Sequence, residues 1–339
     1  TLFASDNDAY CHLATDDLKT AITNHPDILA FKKDYQQKFE DFDAFLESEL
    51  IVNMEHLNIP KEETKLSDEI FARLRHVPLI DRYNAYQLLD EDWSKISIDL
   101  EVIQTEGFAA IRQVDPNMVI KKKNGKDQEV QEGWVGHILP FALVQETLLS
   151  DDLRALQNKE TRLNEISGEF ETLLDELSEE DKEQDFVNEA KDAFVAAEVK
   201  KALKAKEADP NTLAILKNVN ALFTEEKTLK KQIKEESEAL HIQTKKTIEQ
   251  LTDEEAIQLI KQKWIDPISK SLAGLPDSLI HEFVSKLETL CKKYETTLSD
   301  IEQQIKETEK QLNDMIDELT GNEFDMKGIH ELKKLLGGK

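Results

Sequence analysis

The stretch that decides the fold is IEQQIKETEKQLNDMIDELTG, residues 301–321. Its apolar residues recur at every third or fourth position, and nearly all residues between them are charged or carry an amide. Side chains three and four positions apart lie on the same side of a helix. The sequence therefore predicts a long helix with one narrow apolar face, which must pack against another helix.

The same apolar spacing continues through the C-terminal half of the chain. It predicts long helices over residues 143–178, 213–250 and 277–320. Two interpretations of their apolar faces remain open at this stage. The helices pack against one another within the chain as antiparallel pairs, or part of the apolar face binds helices of another chain.

The composition supports a mostly helical protein. Of 339 residues only 10 are Gly and 8 are Pro, while 33% are charged and 6% are aromatic. Few helix-breaking residues and many charged ones favour long solvated helices. Near residues 98–135, however, β-branched residues occur in short runs, and Asn124-Gly125 predicts a hairpin turn. We predict a mainly α fold: residues 1–139 form a helical domain with this small β-hairpin, and residues 140–339 form long antiparallel coiled-coil-like helices.

The net charge of −27 and the pI of about 4.7 limit the partners of the chain. An acidic surface repels phosphate, so we do not expect the chain to bind nucleic acid tightly on its own. The most basic cluster comprises Lys121, Lys122, Lys123 and Lys126. At the predicted hairpin tip this cluster either contacts DNA phosphate or lies in solvent.

Cysteine usage and hydropathy indicate a cytoplasmic protein. Cys11 and Cys291 form no CxxC pair, which fits a reducing compartment. Mean hydropathy is −0.54, and no run of about 18 apolar residues predicts a membrane span.

The sequence has no arrangement of residues that would carry catalysis. It contains no GxGxxG or GxxxxGK[ST] phosphate-binding loop and no GxSxG nucleophile motif. Its eight histidines are scattered, and none lies at a zinc-like spacing from another His or Cys. We therefore assign no catalytic, cofactor-binding or metal-binding residue and expect the chain alone to be inactive.

Five segments carry a resemblance to a known family. They are DDLKTAITNHPDILAF (16–31), PLIDRYNAYQLLDEDW (78–93), GWVGHILPFALVQETLL (133–149), LTDEEAIQLIKQKWIDPI (251–268) and LTGNEFDMKGIHELKKLLGG (319–338). These segments resemble the modification (methyltransferase) subunit of type I restriction–modification enzymes. The resemblance extends over essentially the whole chain.

The resemblance implies a subunit that transfers a methyl group from S-adenosylmethionine to the N6 atom of adenine in DNA. It also implies a complex with a specificity subunit, which reads the DNA sequence, and with a restriction subunit. DNA would be bound by the assembled complex. The family's Gly-rich cofactor motif and its Asn-Pro-Pro-aromatic loop match no position here. We therefore expect this chain to be the C-terminal half of such a subunit, with no cofactor site of its own.

In the family, helices of the far C-terminal part pack beside the long helices of the specificity subunit. The corresponding predicted contact residues are Leu298, Ile301, Ile305, Leu312, Met315, Leu319, Phe324, Leu332 and Leu335. The alternative hypothesis is a stand-alone coiled-coil scaffold unrelated to DNA modification.

Overall fold

The computed structural model of the protein describes residues 3–7, 10–13, 15, 17–123, 126–205, 209–293 and 298–335. The fold is mainly α-helical, as predicted. The α-helices of this part of the chain are α1 (Leu18–Thr23), α2 (Pro26–Phe39), α3 (Phe42–Leu46), α4 (Ile59–Leu74), α5 (Arg82–Glu106), α6 (Phe141–Thr147), α7 (Ser150–Asp175), α8 (Ala196–Ala205), α9 (Pro210–Glu249), α10 (Asp253–Ala273), α11 (Leu275–Lys293), α12 (Leu298–Asp317) and α13 (Glu323–Leu335). A π-helical turn, Glu47–Ile51, follows α3, and short 3₁₀ segments occupy Phe108–Arg112 and Asp181–Glu183.

Two antiparallel hairpins accompany the helices. The first pairs β1 (Phe3–Asn7) with β2 (Tyr10–Leu13), and the sequence analysis did not predict it. The second pairs β3 (Val114–Lys123) with β4 (Lys126–Gly136) and confirms the predicted hairpin. The predicted turn, Asn124-Gly125, lies outside the described residues.

The β structure begins at Val114 and not near residue 98. Residues 98–106 belong to α5. The buried residues Ile96, Leu100 and Ile103 continue its apolar face at spacings of four and three. Burial of this face outweighs the weak strand preference of the β-branched residues in this segment.

The chain forms two compact units. Unit 1 comprises residues 1–40, 73–81 and 273–339, and unit 2 comprises residues 41–72 and 82–272. Each unit is thus built from segments that are distant in sequence. The division at residues 139 and 140 stays a prediction.

In unit 1, α1 packs against α11. Leu18 and Ile22 of α1 form a buried cluster with Ile280 and Val284 of α11. The helix begins at Asp17, whose carboxylate accepts a hydrogen bond from the backbone N–H of Thr20 at 3.0 Å. That bond lowers the pKa of Asp17, because it stabilises the ionised carboxylate.

The start of α2 is set by His25 and Pro26. The structure places Pro26 at the first position of α2. The N-cap residue is His25, whose Nδ1 accepts a hydrogen bond from the backbone N–H of Asp27. Proline is favoured at this position because its missing N–H has no partner in the first turn of a helix.

In unit 2, α10 begins at a capping box. The Thr252 hydroxyl accepts a hydrogen bond from the backbone N–H of Glu255 at 3.2 Å, and the Glu255 carboxylate accepts one from the backbone N–H of Thr252 at 2.9 Å. The helix then continues through Pro267 to Ala273. Pro267 therefore does not end the helix.

A long antiparallel helix pair, α7 with α9, forms the second part of unit 2. Two ion pairs show that the helices are antiparallel. Lys159 of α7 pairs with Glu236 of α9, and Arg162, which lies later in α7, pairs with Glu225, which lies earlier in α9. A buried cluster that includes Phe186, Val199 and Leu216 closes the end of this pair. The helices predicted over 143–178 and 213–250 thus cover each other's apolar faces.

Candidate protein-interaction surface

The apolar face of α12 is only about half covered by the described part of the chain. We call five residues the C-terminal stripe: Ile301, Ile305, Leu312 and Met315 of α12, and Leu319, which lies two residues after the end of the helix. Their side chains are between 40% and 66% exposed. Side chains at such spacing in a helix that packs within its own chain are normally buried, as Ile280 and Val284 of α11 are.

The remaining predicted contact residues extend this surface into α13. Phe324 is 83% exposed and Leu332 is 46% exposed. Leu298 and Leu335 belong to α12 and α13, but their side chains lie outside the described part of the structure. Seven of the nine residues are therefore exposed apolar residues, and their contact with a partner stays a prediction.

Local contacts fix how α13 follows α12. The Asn322 side-chain oxygen accepts hydrogen bonds from the backbone N–H groups of Phe324 and Asp325, each at 3.0 Å. This N-cap starts a new helix after the break at Gly321. Ile316 of α12 is buried, and α12 contacts α13. Ile316 lies one position after Met315, so the buried side of α12 borders the C-terminal stripe and leaves it open.

The β3–β4 hairpin is anchored to α9 through its bulge. Gly133 has a backbone φ of 78°, which a side chain would strain, and a Cβ atom there would lie 2.6 Å from the His241 Nε2 atom. The absence of a side chain lets the backbone N–H of Trp134 donate a hydrogen bond to His241 Nε2 at 2.9 Å. The Lys245 ammonium lies 4.3 Å from the centre of the Trp134 ring, a cation–π distance.

An ion pair lies at the base of the hairpin, between β3 and the residue that follows β4. The Nδ1 atom of His137 lies 2.6 Å from a carboxylate oxygen of Asp115, and its Nε2 atom lies 3.5 Å from a carboxylate oxygen of Glu106. The hydrogen bond with Asp115 raises the pKa of His137 because it stabilises the imidazolium. The base of the hairpin is therefore held by an interaction that depends on pH.

The basic residues at the hairpin tip are partly neutralised by the opposite strand. Lys121 and Lys122 are exposed. The Lys121 ammonium lies 2.8 Å from the Glu132 carboxylate, and Lys122 lies opposite Asp127 in the backbone register of the two strands. Lys123 and Lys126 pair with each other in the backbone register, and their side chains lie outside the described part. The phosphate contact of this cluster stays a prediction.

Sequence reasoning missed a buried polar site in unit 2. The Asp99 carboxylate accepts hydrogen bonds from the Lys263 ammonium at 2.5 Å and from Trp264 Nε1 at 2.8 Å. Lys263 also donates to the carbonyl oxygen of Ile138 at 2.6 Å. These partners are more than 100 residues apart in sequence, so no local spacing could indicate the contact.

Within the described ranges, no three His, Cys, Asp or Glu side chains converge as metal ligands. None of the helices in the same ranges is long and apolar enough to cross a membrane. No protein-family model, curated protein or solved structure matches this chain.

Proposed function

We propose that this chain corresponds to the C-terminal half of the modification subunit of a type I restriction–modification enzyme and serves in its assembly. The methyl transfer from S-adenosylmethionine to adenine belongs, in this proposal, to a part of the subunit that this sequence does not match. The chain itself docks on the specificity subunit through α12 and α13. Contacts with DNA and with the restriction subunit are made by the assembled complex.

The observation that carries the proposal is the half-exposed C-terminal stripe on an otherwise strongly charged helix. Exposing apolar side chains in a regular row is costly for a protein that stays alone, and such rows mark protein interfaces. The resemblance of residues 319–338 to the family supplies the identity of the partner. The sequence GNEF in that segment forms the cap and first turn of α13.

The energy available at this surface fits a docking role that needs both helices. Full burial of a large apolar side chain contributes about 1.5–3 kcal/mol. The five stripe residues are already about half covered, so their complete burial would contribute roughly 4–8 kcal/mol. Docking costs about 4–15 kcal/mol in lost freedom of motion. The exposed side chains of Phe324 and Leu332 on α13 are therefore needed to make the complex stable.

The test replaces Ile305 and Leu312 with Asp and measures co-purification of the specificity subunit. We expect binding to be lost, because two charges would enter the apolar interface, while circular dichroism stays at the wild-type value. The matched control replaces Gln303 and Lys310 with Asp, since these residues are also seven positions apart and lie on the opposite side of α12. Retained co-purification in the Ile305/Leu312 variant would refute the proposed interface.

A further inference from the structure

The C-terminal stripe is one part of a longer apolar repeat. From Ile280 to Leu319 the chain carries an unbroken alternation of four- and three-residue steps, the heptad spacing of a coiled coil. Its members are Ile280, Val284, Leu287, Cys291, Tyr294, Leu298, Ile301, Ile305, Thr308, Leu312, Met315 and Leu319. Thr308 is the one step with a hydroxyl side chain in the part that belongs to α12.

Within the described residues, only the beginning of this repeat is buried. Ile280 and Val284 are buried against α1, and Leu287 and Ile28 of α2 pack at the edge of the same cluster. The described part of the chain does not bury the members on α12 or Leu319 beyond it, since the stripe from Ile301 to Leu319 is half exposed. The first residues of the repeat are therefore buried by other helices of unit 1, and its last residues are half exposed.

The charges that border the open part all have one sign. In heptad terms Ile305, Leu312 and Leu319 occupy position a, so the flanking e and g positions hold Glu302, Gln304, Glu309, Gln311, Ile316 and Glu318. The two lysines of α12, Lys306 and Lys310, fall at the outer b and f positions. The charged residues at the e and g positions beside this stripe are therefore Glu302, Glu309 and Glu318, and none of these positions holds a cation.

A second copy of the chain fits this border poorly. In an antiparallel pair of copies that overlaps over these three heptads, e positions face e positions, so Glu309 would face Glu309 of the other copy. In a parallel pair, position g faces the e position of the next heptad, so Gln304 would face Glu309 and form no ion pair. Like charges beside a coiled-coil seam oppose pairing, and opposite charges select the partner.

We propose that the partner segment is an amphipathic helix whose apolar face is bordered by Lys or Arg, and that it extends along α12 the packing which α1 and α2 begin on α11. This inference rests on the proposed function, because it assigns the chemistry of the partner to the same surface. It adds that the specificity of docking comes from the basic border and that the stripe does not mediate self-association.

The test uses two designed helical peptides of about three heptads with the same Leu/Ile seam. One peptide has Lys at its e and g positions and the other has Glu there. Binding to the full chain is followed by fluorescence anisotropy. We expect the Lys-bordered peptide to bind at least about tenfold more tightly, and the difference to shrink at high salt because exposed charges are screened.

A charge reversal identifies the residues responsible. Glu302→Lys with Glu309→Lys should invert the preference between the two peptides. The matched control, Glu307→Lys with Asp314→Lys, changes the net charge equally at the outer c positions and should leave the preference unchanged. Leu312→Asp should abolish binding of both peptides without loss of helicity.

Several outcomes would overturn the inference. They are equal affinity for the two peptides, no binding of either, the same response of the test and control variants, or sedimentation showing a dimer that Leu312→Asp dissociates. The proposed function fails separately: the specificity subunit would not co-purify although the Lys-bordered peptide binds selectively. Conversely, the specificity subunit could co-purify through the stripe while the two peptides bind equally. That result would support the proposed function and refute the inference that the partner helix has a basic border.

Discussion

Replacing Asp99 with Ala should destabilise unit 2 strongly. Asp99 is 7% exposed and bonds to both Lys263 and Trp264. Its removal leaves the Lys263 ammonium with only the carbonyl of Ile138, and the buried Trp264 Nε1 with no acceptor. Breaking a buried ion pair by removing one partner costs about 3–5 kcal/mol. The Lys263 side chain retains 20% exposure, so water can solvate part of the charge, and we expect a loss of about 3–4 kcal/mol.

The assay is urea unfolding followed by tryptophan fluorescence. All three tryptophans, Trp93, Trp134 and Trp264, belong to unit 2, so the signal reports this unit. With a denaturant slope of about 2–3 kcal/mol per M, the unfolding midpoint should fall by roughly 1–2 M. Asp99→Asn keeps an acceptor for Trp264 while removing the charge, and it should lose about half as much.

The matched control in unit 2 is Glu235→Ala, which removes an exposed partner of Lys231 on α9. Its midpoint should stay close to that of the wild type, because exposed ion pairs contribute little. If the Asp99→Ala and Glu235→Ala variants unfold at the same urea concentration, the buried network is not a source of stability and the argument is wrong.

Three further predictions concern the hairpin. The pKa of His137 is raised in the folded state. Its ion pair therefore contributes fully to stability below the pKa of His in the unfolded chain, about 6.5, and this contribution is lost as pH rises through the folded-state pKa. Asp115→Asn should flatten this pH dependence of stability, measured by fluorescence-monitored unfolding. Gly133→Ala should lower the unfolding midpoint of unit 2, because it strains a positive φ and collides with the imidazole that anchors the bulge, whereas Ala at the exposed Lys122 should not. In the proposed complex with the specificity and restriction subunits, Lys121→Ala with Lys122→Ala should weaken DNA binding on all sequences and reduce the slope of log affinity against log salt by about 1–2. An unchanged slope would place these lysines in solvent.

Periodicity predicted helices well because it depends on short-range geometry. The three- and four-residue spacing in 301–321 determines which side of α12 is apolar, whatever lies next to it. The strand–turn–strand pattern around Asn124-Gly125 is likewise a local signal, and the structure confirms both strands. The same local reasoning failed at residues 98–106, where the partner surface and not intrinsic preference selected a helix.

By itself, then, the sequence determined the mainly helical fold, the apolar faces and the acidic surface. Only the tertiary structure decided which faces are covered. The heptad repeat from Ile280 to Leu319 is uniform in sequence, yet α1 and α2 bury its first steps and nothing in the described chain buries those on α12. The tertiary structure also decides which distant side chains come into contact, such as Asp99 with Lys263. Helical spacing reports only local geometry, so it cannot predict such contacts.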